Sequence, residues 1–428
     1  MPFPPKTTMT LMNLQKNQTA SLSALSWLLF GLSPVIALWV SLTDRRSKVA
    51  RDITWAGCVF YGLMFNILPG QGSDCVRYAE ELKQMHLTQT SWELLSSTFY
   101  QDGQTRFDIY QPTLTLIVSR FTGDYHILFA LFGFVIGYFY SRTVWFFVDR
   151  LPQKAQLVNF LFILAVAFLL NPGSAINGVR MYTAFYIFLY GALKFFEKQQ
   201  MAYLVLAGSS FLVHFSFAYP FAMMLAVPVA ERFPGLALSA LTASFLIPSV
   251  ENTSVSDLLG FLPGFQQRVS SYLVNPEMRK EEVGWLLTLT KYGNIAFVMA
   301  SAYMLPLILG KTENQVLRRI GMLAVLVYTG VNICWNVYSF GRFSGLSLLL
   351  FSGLWAIIPP NVSVLRLPYQ LFGLSIFCFI LPGVAIGIRL FLGFVSIGIL
   401  LGNPFTFTWF YEADRSAYDF LLVKFRPW

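Results

Sequence analysis

Apolar stretches of about 17 to 22 residues recur along the whole chain, each long enough to cross the hydrocarbon layer of a bilayer as a helix. The segments read as spans, some of them shorter or longer than this, lie at about 22–42, 53–69, 124–141, 156–171, 181–196, 201–219, 220–230, 235–250, 292–309, 320–339, 344–358 and 371–401. Backbone amides and carbonyls in hydrocarbon find no water, and a helix satisfies them within its own segment. The period-2 alternation of a barrel strand is missing, which leaves a helical bundle. Composition agrees, with 56% of residues hydrophobic and 12% charged, far from the mix of a soluble domain. The expectation is an all-α polytopic membrane protein, one integral domain over 1–428, with about 11–14 transmembrane helices. The first span is expected to be retained, because the apolar run lacks a small-residue cleavage site near its end.

The net charge of +9 invites comparison with nucleic-acid binders, but the basic residues lie in short connectors, where they report orientation. The connector "TDRRSKVAR" carries Arg45, Arg46, Lys48 and Arg51 and is placed in the cytoplasm. Alternation from there puts two longer polar segments, 70–123 and 251–290, outside. Within the first, "DIYQPTLTLIVSRF" (108–121) is too short to cross and is read as a re-entrant or interfacial helix. The run 371–401, interrupted by Pro382, Gly383 and Arg389, is one long pass or two short ones. Cys58, Cys75, Cys334 and Cys378 have neither CxxC spacing nor clustered histidines, so no zinc site or disulfide framework is indicated.

This orientation places Arg77, Arg106, Arg180, Arg268 and Arg342 on the outer side, against the usual bias. Asp74, Asp108 and Asp124 share that side, so mutually neutralising ion pairs are the plainest account. The sharper one is an anion site, since a guanidinium holds phosphate oxygens through a planar fork and stays charged at any relevant pH. Arg180, in "INGVR", is read as lying at the start of a helix, where unpaired amides already favour an anion. Asn177 and Ser174 are read as caps of that helix. His214, in "SSFLVHFSFAY", is placed inside a span, either bonded to a neighbouring helix or serving as a general base. Asp74, in "GSDCVRY", is the rival base, or the partner of Arg77. No residue set suggests a metal site, and Walker, GxSxG and HExxH patterns are missing, so no cofactor is expected.

In order, "GSDCVRY", "DIYQP…SRFTGDYHILFALFGFVIGYFYSR", "INGVRMYTAFYIFLYGALK", "FLVHFSFAYPF" and "GRFSG" resemble the EpsG-type branch of the Wzy-like polysaccharide polymerases, over roughly residues 50–360. Where that family commonly has Gln after the arginine, this chain has Met181. The resemblance implies a GT-C-like bundle in the bacterial inner membrane with its active site facing the periplasm or exterior. It implies a metal-independent glycosyltransferase that joins oligosaccharide repeat units carried on undecaprenyl diphosphate, with a flippase and a chain-length regulator as partners. Carried over, Arg180 and Arg342 would hold the diphosphate, and His214 or Asp74 would activate the acceptor hydroxyl. Arg77 and Arg268 would help bind the leaving group or glycan, with Tyr78, Asp108, Asn177 and Tyr272 completing the substrate contacts. An O-antigen ligase or a polyprenyl-phosphate-sugar transferase would use similar residues. A lipid-linked oligosaccharide flippase would instead need polar residues deep in several spans, and few are found.

Overall fold

The computed structural model describes residues 23–44, 47–67, 74–100, 108–169, 172–246, 285–309, 314–334, 340–359, 362–364, 367–395 and a few positions nearer the C-terminus. In chain order the helices are α1 (Ser23–Leu32), α2 (Pro34–Ser41), α3 (Lys48–Leu63), α4 (Asp74–Thr88), α5 (Trp92–Tyr100) and α6 (Tyr110–Ser119). There follow α7 (Tyr125–Val148), α8 (Leu157–Phe168), α9 (Pro172–Asn177), α10 (Val179–Lys198), α11 (Met201–Val213), α12 (Ala218–Arg232) and α13 (Pro234–Ser244). The last are α14 (Trp285–Leu309), α15 (Gln315–Ile333), α16 (Ser344–Ala356) and α17 (Tyr369–Gly393). A two-residue antiparallel ladder pairs Ser363 with Pro368 and Val364 with Leu367.

Among the described residues three helices, α7, α15 and α17, are long and apolar enough to cross a membrane, with mean hydropathies of 1.6, 1.4 and 2.4. Large apolar side chains also cover the outside: Trp39 is 77% exposed, Leu246 82% and Trp285 78%. Such a surface suits hydrocarbon better than water. Polar side chains lie inside, mostly satisfied. Buried Asn159 donates to the carbonyls of Ala356 and Ile358 at 2.8 and 3.0 Å, closing the C-terminal end of α16, where helix carbonyls lack partners of their own.

Among the described residues the most extensive helix pairing is α3 against α7, running antiparallel. A Cβ on Gly62 would stand 2.2 Å from the Phe129 carbonyl oxygen, and one on Gly133 would stand 2.3 Å from that of Cys58. Gly133 and Gly137 form a GxxxG pair, and such small residues let membrane helices meet backbone to backbone. The seam registers the ends: Arg142 near the finish of α7 reaches Asp52 near the start of α3 at 2.9 Å. Beside this pair run α10 and α11, while α8, α14, α16 and α17 build an aromatic core in which Phe162 stacks on Trp355 at 5.9 Å.

Several boundaries differ from the sequence reading. The segment 22–42 breaks at Ser33, whose hydroxyl caps α2. The helix expected to end before Arg142 continues to Val148, keeping Arg142 inside it. The run 371–401, read as one pass or two, has over its described residues a helix, α17, that passes through Pro382 to Gly393. The loop expected over 251–290 has its last residues, from Trp285, inside α14. The segment 108–121 forms the ten-residue α6, about 15 Å long and too short to cross.

Candidate functional site

The largest correction concerns 201–219, read as one span. The helix α11 stops at Val213; His214 is extended (φ −150, ψ 112), and Phe215–Phe217 form a 3-10 turn before α12. The His214 imidazole fastens this break: Nδ1 accepts from the Ser216 amide at 3.4 Å and lies 2.9 Å from its hydroxyl. An acceptor role for Nδ1 places the ring proton of neutral His214 on Nε2. The nitrogen that a general base would use is therefore engaged in capping the turn.

The same break exposes the Phe215 amide, which donates to Asp108 Oδ1 at 3.2 Å. The other carboxylate oxygen of Asp108 accepts from Arg180 Nη1 at 3.1 Å. Asp108 is 4% exposed, whereas the Arg180 side chain keeps 30%. One carboxylate thus ties together the approach to α6, the first turn of α10 and the break between α11 and α12. Among the described residues this is the one hydrogen bond of normal geometry from Arg180, with the Tyr78 hydroxyl beside it.

Arg180 is the second residue of α10, but Asn177 does not cap that helix. The N-cap is Gly178, without a side-chain hydrogen bond. The Asn177 side-chain oxygen accepts instead from the Cys75 amide at 3.3 Å, serving the first turn of α4. Ser174 lies in α9, and its side chain is outside the described residues. Asp74 opens α4, where a carboxylate suits the helix dipole. It pairs with Arg77 at 2.9 Å, and Arg77 also approaches Glu81 at 3.8 Å. Both members of the closer pair are about half exposed, so it contributes at most about 1 kcal/mol.

Tyr78 is fully buried beside Arg180, and among the described residues its hydroxyl has no hydrogen-bond partner of normal geometry. Burial pushes that hydroxyl above its ordinary range, the guanidinium groups of Arg180 and Arg77 pull the other way, and Asp74 adds to the rise. The hydroxyls of Tyr110 and Thr183 are neighbours that do not reach hydrogen-bonding geometry. Thr183 lies one turn along α10 from Arg180, and the rings of Tyr78 and Tyr110 both pack near Phe132, at 6.1 and 6.3 Å. Polar hydroxyls therefore line the protein side of the ion pair.

Arg342 stands in a 3-10 turn, Phe340–Phe343, ahead of α16. Its Nη1 donates to Met181 Sδ at 3.9 Å, next in sequence to Arg180, and Phe343 packs on Phe217 at 5.3 Å. The structure thus brings together Asp74, Arg77, Tyr78, Asp108, Asn177, Arg180, His214 and Arg342. Arg106, Arg268 and Tyr272 lie outside the described residues. Sequence reasoning missed the Phe215 amide, Thr183 and Gln111, whose side chain joins Glu81 to Thr115 at 3.0 Å each. Among the described residues no three His, Cys, Asp or Glu gather as a metal site would require.

No protein-family model matches the chain, and no curated protein and no solved structure matches it.

Proposed function

We propose that the protein is a polysaccharide polymerase, a multi-pass GT-C-type glycosyltransferase of the bacterial cytoplasmic membrane. It joins oligosaccharide repeat units carried on undecaprenyl diphosphate at the outer face. The observation that carries this reading is the Arg180 guanidinium at the first turn of α10, oriented by buried Asp108, with Arg342 reaching the next residue, Met181. A guanidinium at the start of a helix, with a second arginine reaching the neighbouring residue, suits the oxygens of a diphosphate.

In the reaction a hydroxyl of the acceptor unit attacks the anomeric carbon of the donor. The bond from that carbon to the phosphate oxygen breaks, and the lipid diphosphate departs with the electron pair. Negative charge grows on the leaving oxygen, where fixed cations in a site of low dielectric lower the barrier. Asp74 is the better acceptor for the hydroxyl proton: it is solvent-accessible, while the Nδ1 of His214 is engaged. His214 is a positioning residue, holding the turn whose amide fixes Asp108.

A purely structural reading is favoured by one observation: Arg77 and Arg180 both face carboxylates. Cells carrying Arg180→Ala or Arg342→Ala separate the two. The polymerase reading expects stable, inserted variants that accumulate single lipid-linked repeat units and make no polymer. Normal chain length from both variants eliminates the diphosphate role. A ligase would leave long polymer unattached instead.

A further inference from the structure

At the opposite end of the bundle, where α3 begins and α7 and α10 finish, a cavity of about 410 Å³ is lined by Arg51, Arg142, Arg150 and Lys194. Ligand pockets commonly have this size. The charges in it are unevenly matched. Arg51 and Arg142 share a single oxygen of Asp52, at 3.2 and 2.9 Å. Arg150 and Lys194 share the carboxylate of Glu197, Arg150 on Oε1 and Lys194 on Oε2 at 2.7 Å. Each carboxylate thus serves two cations, and exposed Asp149 lines the cavity together with Glu197. Among the described residues these four cations are matched by the carboxylates of Asp52, Glu197 and Asp149, which leaves a positive surplus at the cavity.

The surroundings point to a lipid. The Arg142 guanidinium lies 4.8 Å from the Trp55 ring and 4.0 Å from the Tyr138 ring. Trp55 packs on Phe134 at 4.9 Å, and both Tyr138 and Phe134 are exposed on the outside of α7. An apolar, outward-facing strip therefore runs from the mouth of the cationic cavity along α7 toward the middle of the bundle. A phosphate in the cavity and an acyl chain on the strip would satisfy both. Basic pockets between membrane helices hold anionic headgroups in this way, and guanidinium forks suit phosphate oxygens.

We infer that this cavity binds the phosphodiester headgroup of an anionic phospholipid, on the face that the basic connectors place in the cytoplasm. The inference needs only that the bundle spans a membrane and is independent of the chemistry proposed for the other end.

The test uses purified full-length protein in nanodiscs of phosphatidylcholine alone or with phosphatidylglycerol, with inorganic phosphate and glycerophosphate as soluble probes. Unfolding temperature and lipid retained by native mass spectrometry are the readouts. Wild-type protein is expected to unfold at a higher temperature with phosphatidylglycerol and to retain it. Arg51→Gln combined with Lys194→Gln, which leaves Arg142 and Arg150 in place, is expected to weaken retention roughly tenfold to thirtyfold. Stabilisation by the lipid but by neither soluble probe identifies a lipid as the source. Equal stabilisation by inorganic phosphate assigns the same site to a soluble phosphate compound. The inference is overturned if wild-type protein responds identically in the two nanodiscs and to neither probe, or if a folded double variant retains the lipid undiminished. The wild-type comparison stands even if the variant does not fold.

Discussion

Asp108→Ala removes the acceptor of two hydrogen bonds at once, from the Arg180 guanidinium and the Phe215 amide. A hydrogen bond to a charged group contributes about 1.5–3 kcal/mol net, and a buried amide left unpaired costs about 1–3. Arg180 keeps 30% of its side chain in contact with solvent, so it recovers part of its solvation. The cost then falls below the 3–5 kcal/mol typical of a fully buried pair, and about 2–3 kcal/mol is expected. Asp108→Asn is milder, because its amide oxygen can still accept from Phe215. Combining Asp108→Asn with Arg180→Gln, an uncharged polar side chain, leaves no buried charge unpaired. The double variant should therefore be less destabilised than the two singles added, with a coupling of about 1–3 kcal/mol. Unfolding midpoints in mixed micelles measure this for all four proteins. Additivity within about 0.5 kcal/mol would show that Asp108 and Arg180 do not act as a unit. The orienting role predicts a second effect. Asp108→Asn should slow polymer formation about tenfold to a hundredfold, since a small misplacement of a substrate-positioning group costs that much.

Gly133→Val places a side chain where even a Cβ would stand 2.3 Å from the Cys58 carbonyl oxygen. Overpacking costs about 1–3 kcal/mol, so the variant should unfold earlier; an unchanged midpoint would mean that the α3–α7 seam is not tight. Asn177→Ala removes the side-chain partner of the Cys75 amide and should cost about 0.5–2 kcal/mol. Hydrogen exchange should then quicken in the first turn of α4, and unchanged protection there would deny the cap. Arg77→Gln breaks an ion pair that is half exposed and should change stability by less than about 1 kcal/mol. A larger loss would show that α4 depends on Arg77 for its place.

What the sequence carried and what it hid have physical causes. The helical, membrane-suited character was legible because hydrocarbon demands long apolar segments, and α7 and α17 present them plainly. The short α6 was legible for the same reason, from its length. The break at His214 was not, because "FLVHFSFAY" is apolar on both sides of the histidine and hydropathy does not register a 3-10 turn. Asn177 was assigned to its own helix because a cap is usually local, whereas its partner Cys75 is 102 residues away. That Asp108 and Arg180 share one side is an expectation that follows from charge-counting in the connectors. Their direct contact across 72 residues does not, since side-chain pairing depends on how α6 and α10 pack. The meeting of Arg342 with Met181 likewise has no local signature, being a contact between residues 161 apart.

The central claim is that the arginines around the first turn of α10 grip a lipid diphosphate while one glycan is transferred to another. Purified protein in proteoliposomes, supplied with undecaprenyl-diphosphate-linked repeat units and no other protein, tests it most directly. The account predicts a ladder of extended lipid-linked products from wild-type protein and single units alone from Arg180→Ala of unchanged helix content. Extension undiminished in that variant, or wild-type protein that moves the lipid between leaflets without extending it, would contradict the account.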